Sequence, residues 1–135
     1  MIVFRYKSEI GPKGRVVKRP VADVHLKTSK GNWIEFHPYI DSGADVTLIP
    51  LSLGKLIGFI LDEEKIEQIG GIRGSIPVLY QEGQIRLGSE ILNTKIAWAL
   101  TDEVPPLLGR EGVFDEFKII FKQRGGIIIF EKRKK

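Results

Sequence analysis

Ile40-Asp41-Ser42-Gly43-Ala44-Asp45-Val46-Thr47-Leu48-Ile49-Pro50 sets a polar Asp-Ser-Gly triplet between two apolar runs. Alone the triplet is weak, since composition gives an Asp-Ser/Thr-Gly string in on the order of one chain in fifteen of this length, and a polar turn would account for it. Its flanks raise its weight. Upstream, Ala22, Val24 and Leu26 alternate with Asp23, His25 and Lys27, the period of two that marks a half-buried strand over residues 21–28. Ser29-Lys30-Gly31-Asn32 is turn chemistry. Alternation resumes over 33–40 through Ile34, Phe36 and Ile40, so a hairpin delivers the chain into Asp41. Downstream, 46–49 is a further β-branched run. A carboxylate is presented from a loop held between strands.

Outward from that loop the chain continues mostly as strand. Pro50 opens a short helix over 51–57 that ends at Gly58. Gly70-Gly71-Ile72-Arg73-Gly74 is a glycine-rich tip between the arms carrying Ile66/Ile69 and Ile76/Val78. Residues 84–87 and 91–100 read as a second hairpin about Gly88-Ser89-Glu90, and 111–117 as a short helix. Residues 118–122 and 127–132 flank Gln123-Arg124-Gly125-Gly126, a terminal hairpin whose Ile127-Ile128-Ile129-Phe130 run is expected to be buried on both faces. The expected fold class is mainly β, one domain over 1–135, with one or two short helices.

Composition narrows the chemistry. A chain of 135 residues supports one core, and the absence of cysteine removes disulfides, thiolate metal sites and cysteine nucleophiles. The net charge of +4 is uneven, at +6 over residues 1–30, −5 over 31–70 and +3 over the rest. The basic residues are scattered along strands and the 131–135 tail, so a solvated surface is favoured over a nucleic-acid site. His25 and His37 lack partners at metal-ligand spacing and read as surface or packing residues, as do Trp33 and Trp98. No signal or membrane segment is recognisable, and the chain is expected to be soluble and cytoplasmic.

The loop 40–45, the strand start Arg19-Pro20-Val21, the string Ile69-Gly70-Gly71-Ile72-Arg73-Gly74 and Leu107-Leu108-Gly109-Arg110 occur in the order found in the retropepsins, the homodimeric aspartic proteases typified by retroviral enzymes. The resemblance spans about residues 19–117. It implies a retropepsin-like half-barrel in which 70–74 is the tip of a flap, and in which two chains each contribute one Asp41 to a catalytic dyad. It implies no metal or cofactor, and a polypeptide substrate bound extended between flap and loop. Ser42 and Gly43 would support the loop, Ser42 by hydrogen bonding across the two-fold axis. Asp45 and Arg110 would form an internal, bidentate ion pair. Gly43, Ala44, Asp45, Gly70, Gly71 and Ile72 would contact substrate, with Arg73 facing water. Residues 1–18 are an N-terminal extension that can pair with the C-terminal hairpin of 118–135, so the retroviral terminal-sheet dimer need not carry over. The second reading is a binding module of the same fold, without proteolysis, for extended peptides or nucleic acid.

Overall fold

A computed structural model describes residues 1–71 and 74–134. The chain begins with β1 (Ile2–Arg5), then a hairpin of β2 (Lys7–Ile10) and β3 (Val16–Arg19). Next come β4 (Val24–Lys27), β5 (Trp33–Phe36), β6 (Tyr39–Ile40), β7 (Thr47–Ile49) and the helix α1 (Leu51–Ile57). The second half holds β8 (Glu67–Gly71), β9 (Gly74–Leu87), β10 (Glu90–Ala99), β11 (Leu107–Leu108), β12 (Phe117–Lys122) and β13 (Ile127–Lys132). One sheet has the order β5-β4-β9-β10-β7-β11-β6, with β8 paired to β9 at its margin, and a second has the order β1-β13-β12. The expected mainly-β architecture is present, and the N-terminal stretch meets the C-terminal hairpin through residues 2–5, antiparallel to 127–130.

Alternation along β10 separates two environments. Ile96 and Trp98 face the main core with Leu79, Ile85 and Ile49, whereas Ala97 and Ala99 pack with Val78 beneath Ile69, Ile76 and Tyr80. Trp98 fixes α1 on the core side. Its Nε1–H donates to the Leu51 carbonyl at 3.1 Å, and Gly54 lies so close to the indole that a Cβ there would overlap it. The terminal sheet joins the same core through Phe4, Phe117, Ile128 and Phe130. Edge-to-face contacts of 5.3 Å (Phe4–Phe130) and 5.5 Å (Phe117–Phe130) lock it there.

The central joint is β11, inserted between β6, to which it is parallel, and β7, to which it is antiparallel. The loop 41–46 must therefore bridge over β11. Gly109, buried at the end of that strand, donates its N–H to Thr47 Oγ1 at 3.2 Å. Any Cβ at Gly109 would collide with the backbone of Val46 and Thr47.

Three expectations need correction. The segment expected as a helix over 111–117 is a single distorted turn, Arg110–Phe114, because Glu111 is extended and Gly112 has φ +75°. The flap arm and the strand at 84–87 are one unbroken 14-residue strand, β9. His37 is not partnerless: its Nδ1 lies 2.8 Å from Asp23 Oδ1, and Nε2 lies 3.8 Å from Glu35. Lys7 reaches the same Asp23 oxygen at 2.5 Å, and Tyr39 donates to Glu9 at 2.6 Å, so polar contacts tie the β2–β3 hairpin to the body. The Lys7 hydrogen bond, aided by His37, holds the Asp23 carboxyl below its ordinary range. The strand bounds also differ slightly from the expected divisions, since β3 runs to Arg19 and β12 starts at Phe117.

Gly109→Ala is expected to lower stability by about 1–3 kcal/mol through overpacking, measured as a shifted urea midpoint. Gly70→Ala, whose methyl would meet nothing within 4 Å, should shift it far less. A second prediction concerns α1, whose N-cap Pro50 offers no side-chain cap. Ser52 donates its N–H and hydroxyl to Asp102 instead, at 2.8 and 2.6 Å, which holds that carboxyl below its ordinary value of 3.8. A depressed folded-state value contributes stability above the unfolded value and loses it as pH falls through the folded one. Asp102→Ala should therefore melt lower than wild type at neutral pH, with the gap closing as pH drops below 3.8; a constant gap would contradict the contact.

Candidate active site

Asp41 follows directly on β6 and is half-buried. Its N–H donates to the Leu108 carbonyl at 3.1 Å, which anchors the start of the loop to β11. Gly43 folds back and donates its N–H to Asp41 Oδ1 at 2.9 Å. A Cβ on Gly43 would stand only 3.3 Å from that oxygen, so glycine keeps the donor close without crowding the carboxylate. Ala44 closes the turn by donating to the Asp41 carbonyl at 3.2 Å. The far limb is held by Arg110, whose N–H donates to the Ala44 carbonyl, and by Glu111, whose N–H donates to the Asp45 carbonyl, both at 3.0 Å.

Arg110 Nη2 pairs with Asp45 Oδ1, while Nη1 reaches the Ser42 carbonyl at 3.5 Å. The expected pair is therefore formed, but it is neither bidentate nor internal. The guanidinium fork spans two segments of the loop, and the Asp45 side chain is 85% exposed. Ser42 stands exposed at the loop crest.

A cavity of about 550 Å³ opens over this loop, and Asp41, Gly43, Ala44, Asp45 and Gly70 all line it. Five of the expected site residues thus meet around one space. Gly71 pairs with Gly74 at the end of the β8–β9 hairpin, and Ile72 and Arg73 lie outside the described residues. Glu111 joins the loop side through its N–H to the Asp45 carbonyl, and the opposite wall comes from residues outside any motif, Tyr80 on β9 and Lys95 and Ala97 on β10. Their only sequence signal is position: they occupy alternate sites of long strands, and the face they occupy is known only once β8 folds over it. On the other side of Asp41 a second recess is formed with Arg19, Pro20, Tyr39, Pro105 and Leu107, so the carboxylate stands between two hollows.

The arrangement offers one carboxylate, a backbone N–H already directed at it, and a cavity bordered by Ile69 and Gly70 of β8 and Tyr80 of β9. No helix among the described residues is long and apolar enough to cross a membrane.

No protein-family profile matches the chain, and no curated protein matches it. Solved structures do. The chain is similar to the EIAV protease complexed with the inhibitor HBY-793, at 22% identity and a TM-score of 0.56 over 69% of this chain and 83% of that one. It is also similar to a retropepsin-like aspartic protease from Rickettsia conorii, at 14% identity and a TM-score of 0.63, over 94% of this chain and 95% of that one. The second alignment covers nearly the whole chain, and with the β11 insertion and the β8–β9 hairpin it gives the chain a retropepsin-like fold.

Proposed function

We propose that the protein is an aspartic endopeptidase whose active site is completed by a second copy of the chain. The observation that carries this reading is Asp41, held by Gly43 and by β11 in the wall of the flap-covered cavity. The sequence holds one Asp-Ser/Thr-Gly string, so a pair of such carboxylates requires two chains. The similarity to two aspartic proteases supports the same reading.

In the pair, two carboxyl groups in contact cannot both ionise, a property general to aspartic proteases, and they share one proton. The ionised Asp41 takes a proton from a bound water as its oxygen attacks the peptide carbonyl carbon. The protonated Asp41 gives its proton to the carbonyl oxygen, which yields a gem-diol without a covalent enzyme intermediate. Collapse returns a proton to the amide nitrogen, the C–N bond breaks, and an acid and an amine leave. Gly43 N–H stabilises the charged oxygen of Asp41 throughout. Ser42, at the exposed crest, is placed to meet the partner chain, and Arg110 keeps the loop from collapsing by bracing Asp45 and the Ser42 carbonyl. Extended substrate would lie between the loop and the flap strands, contributing main-chain hydrogen bonds as an added strand.

The chain's own β1 occupies one edge of β13 and β12 the other. The second copy is therefore expected to approach through the Asp41 loop face rather than by threading its terminus between these strands. The binding-module reading is kept as the alternative; it has the fold in its favour but leaves the Gly43 to Asp41 contact without a use.

Asp41→Asn should abolish cleavage of a peptide library while leaving the melting temperature and the association state unchanged; undiminished cleavage would remove Asp41 from the mechanism. The rate of wild-type cleavage should follow a bell centred on the acidic side of neutrality. It falls at low pH as the second carboxylate is protonated and at higher pH as the shared proton is lost, and a rate that stays level into alkaline pH would contradict a shared proton.

A further inference from the structure

The wall of the cavity opposite Asp41 has a chemistry of its own. On the paired strands β9 and β10, Tyr80 stands across from Ala97 and Glu82 across from Lys95, so Tyr80 and Lys95 are diagonal neighbours on one face. Lys95 Nζ lies 4.4 Å from the centre of the Tyr80 ring. A ring face steadies an ammonium group without neutralising it. Among the described residues Lys95 makes no ion pair, whereas Arg110, the other cation beside the loop, is committed to Asp45 and Ser42. Ala97, fully buried between them and the flap strands, contributes only a methyl to the floor, which leaves the volume beside the ammonium open.

We propose that Lys95, steadied by Tyr80, forms a subsite that accepts an acidic side chain, and that the substrates are polypeptides bearing Glu or Asp at one fixed position near the cleaved bond. The occupant's being a substrate rests on the endopeptidase reading; the charge preference rests on the cavity alone. The remaining charges give the subsite direction. Asp41, Asp45 and Glu111 line the cavity from the loop side and Lys95 from the β10 side, so a substrate carboxylate is repelled from the reacting centre and drawn toward β10. Ile69 and Gly70 of β8 also line the cavity, and a space partly walled off from water strengthens that selection. Glu82 is on the same strand face but exposed, and it does not line the cavity.

The test uses internally quenched peptides identical except for Glu, Gln or Lys placed in turn at each position flanking the scissile bond. They are assayed at about pH 6, where a peptide glutamate with an ordinary value near 4.3 is ionised. Wild type should cleave the Glu peptide with kcat/KM about tenfold above its Gln counterpart at one position, and Lys95→Glu should invert the order there to favour Lys. Lys95→Gln, a milder change, should erase the preference if the reversal variant folds poorly. The same peptides are also measured by fluorescence anisotropy on Asp41→Asn protein, where Glu should outrank Gln and Lys without turnover. An unchanged Glu-to-Gln ratio in the Lys95 variants, or a wild-type preference for Lys, overturns the subsite and leaves the endopeptidase standing. Charge-ranked binding with no cleavage by wild type removes the endopeptidase and leaves the subsite.

Discussion

Everything around Asp41 depends on two residues, Leu107 and Leu108, lying between β6 and β7. A strand of two residues contributes few hydrogen bonds, and its hold comes from being gripped on both edges. Leu108 is fully buried, its carbonyl receives Asp41 N–H, and the next N–H, from Gly109, goes to the buried hydroxyl of Thr47. Because β6 and β7 cannot pair with each other while β11 separates them, the six residues joining them arch over it. The arch forces Asp41 to the cavity side and leaves a short, highly bonded loop with little freedom to relax. The role proposed for Asp41 would gain from a position settled before substrate arrives, and here the main chain does the settling.

The two faces of β9 and β10 divide the remaining work. Trp98, Ile96 and Leu79 bury large surfaces on the core side, at roughly 25 cal/mol per Å² of apolar area. On the other face Ala97 lines the hollow together with Ile69 and Gly70 of β8, while Ala99 packs with Val78. A period of two lets one pair of strands both stabilise the molecule and shape its cleft. The terminal sheet, closed within the chain by β1 against β13 and welded on by three phenylalanines, adds stability on the side of the core away from this choice.

Local pattern carried much of this into the sequence. The 21–40 hairpin, the helix ending at Gly58, the glycine-tipped arms and the terminal hairpin all follow from periodicity and turn residues, whose physics acts over neighbouring positions. The insertion of β11 did not announce itself, because a parallel pairing of 107–108 with 39–40 joins segments distant in sequence, and only the string Leu107-Leu108-Gly109-Arg110 hinted at it. The helix expected at 111–117 failed for a local reason with a tertiary cause. Glu111 is pulled extended to donate to the Asp45 carbonyl, and Gly112 packs against Thr94, where its positive φ is needed. Lys95 and Tyr80 could not be singled out as cavity-lining residues, because alternation fixes which residues share a face but not which face another strand will cover.

One chain supplies one carboxylate and one arch, so on the proposed reading two copies meet with their Asp41 side chains in contact. The most direct measurement is the separation of those two carboxyl groups in a crystal of the protein bound to a non-hydrolysable peptide isostere. The expected result is carboxyl oxygens within hydrogen-bonding distance, about 2.5–3.0 Å, on either side of the isostere hydroxyl. Copies bound to the isostere with each Asp41 facing solvent alone would contradict it.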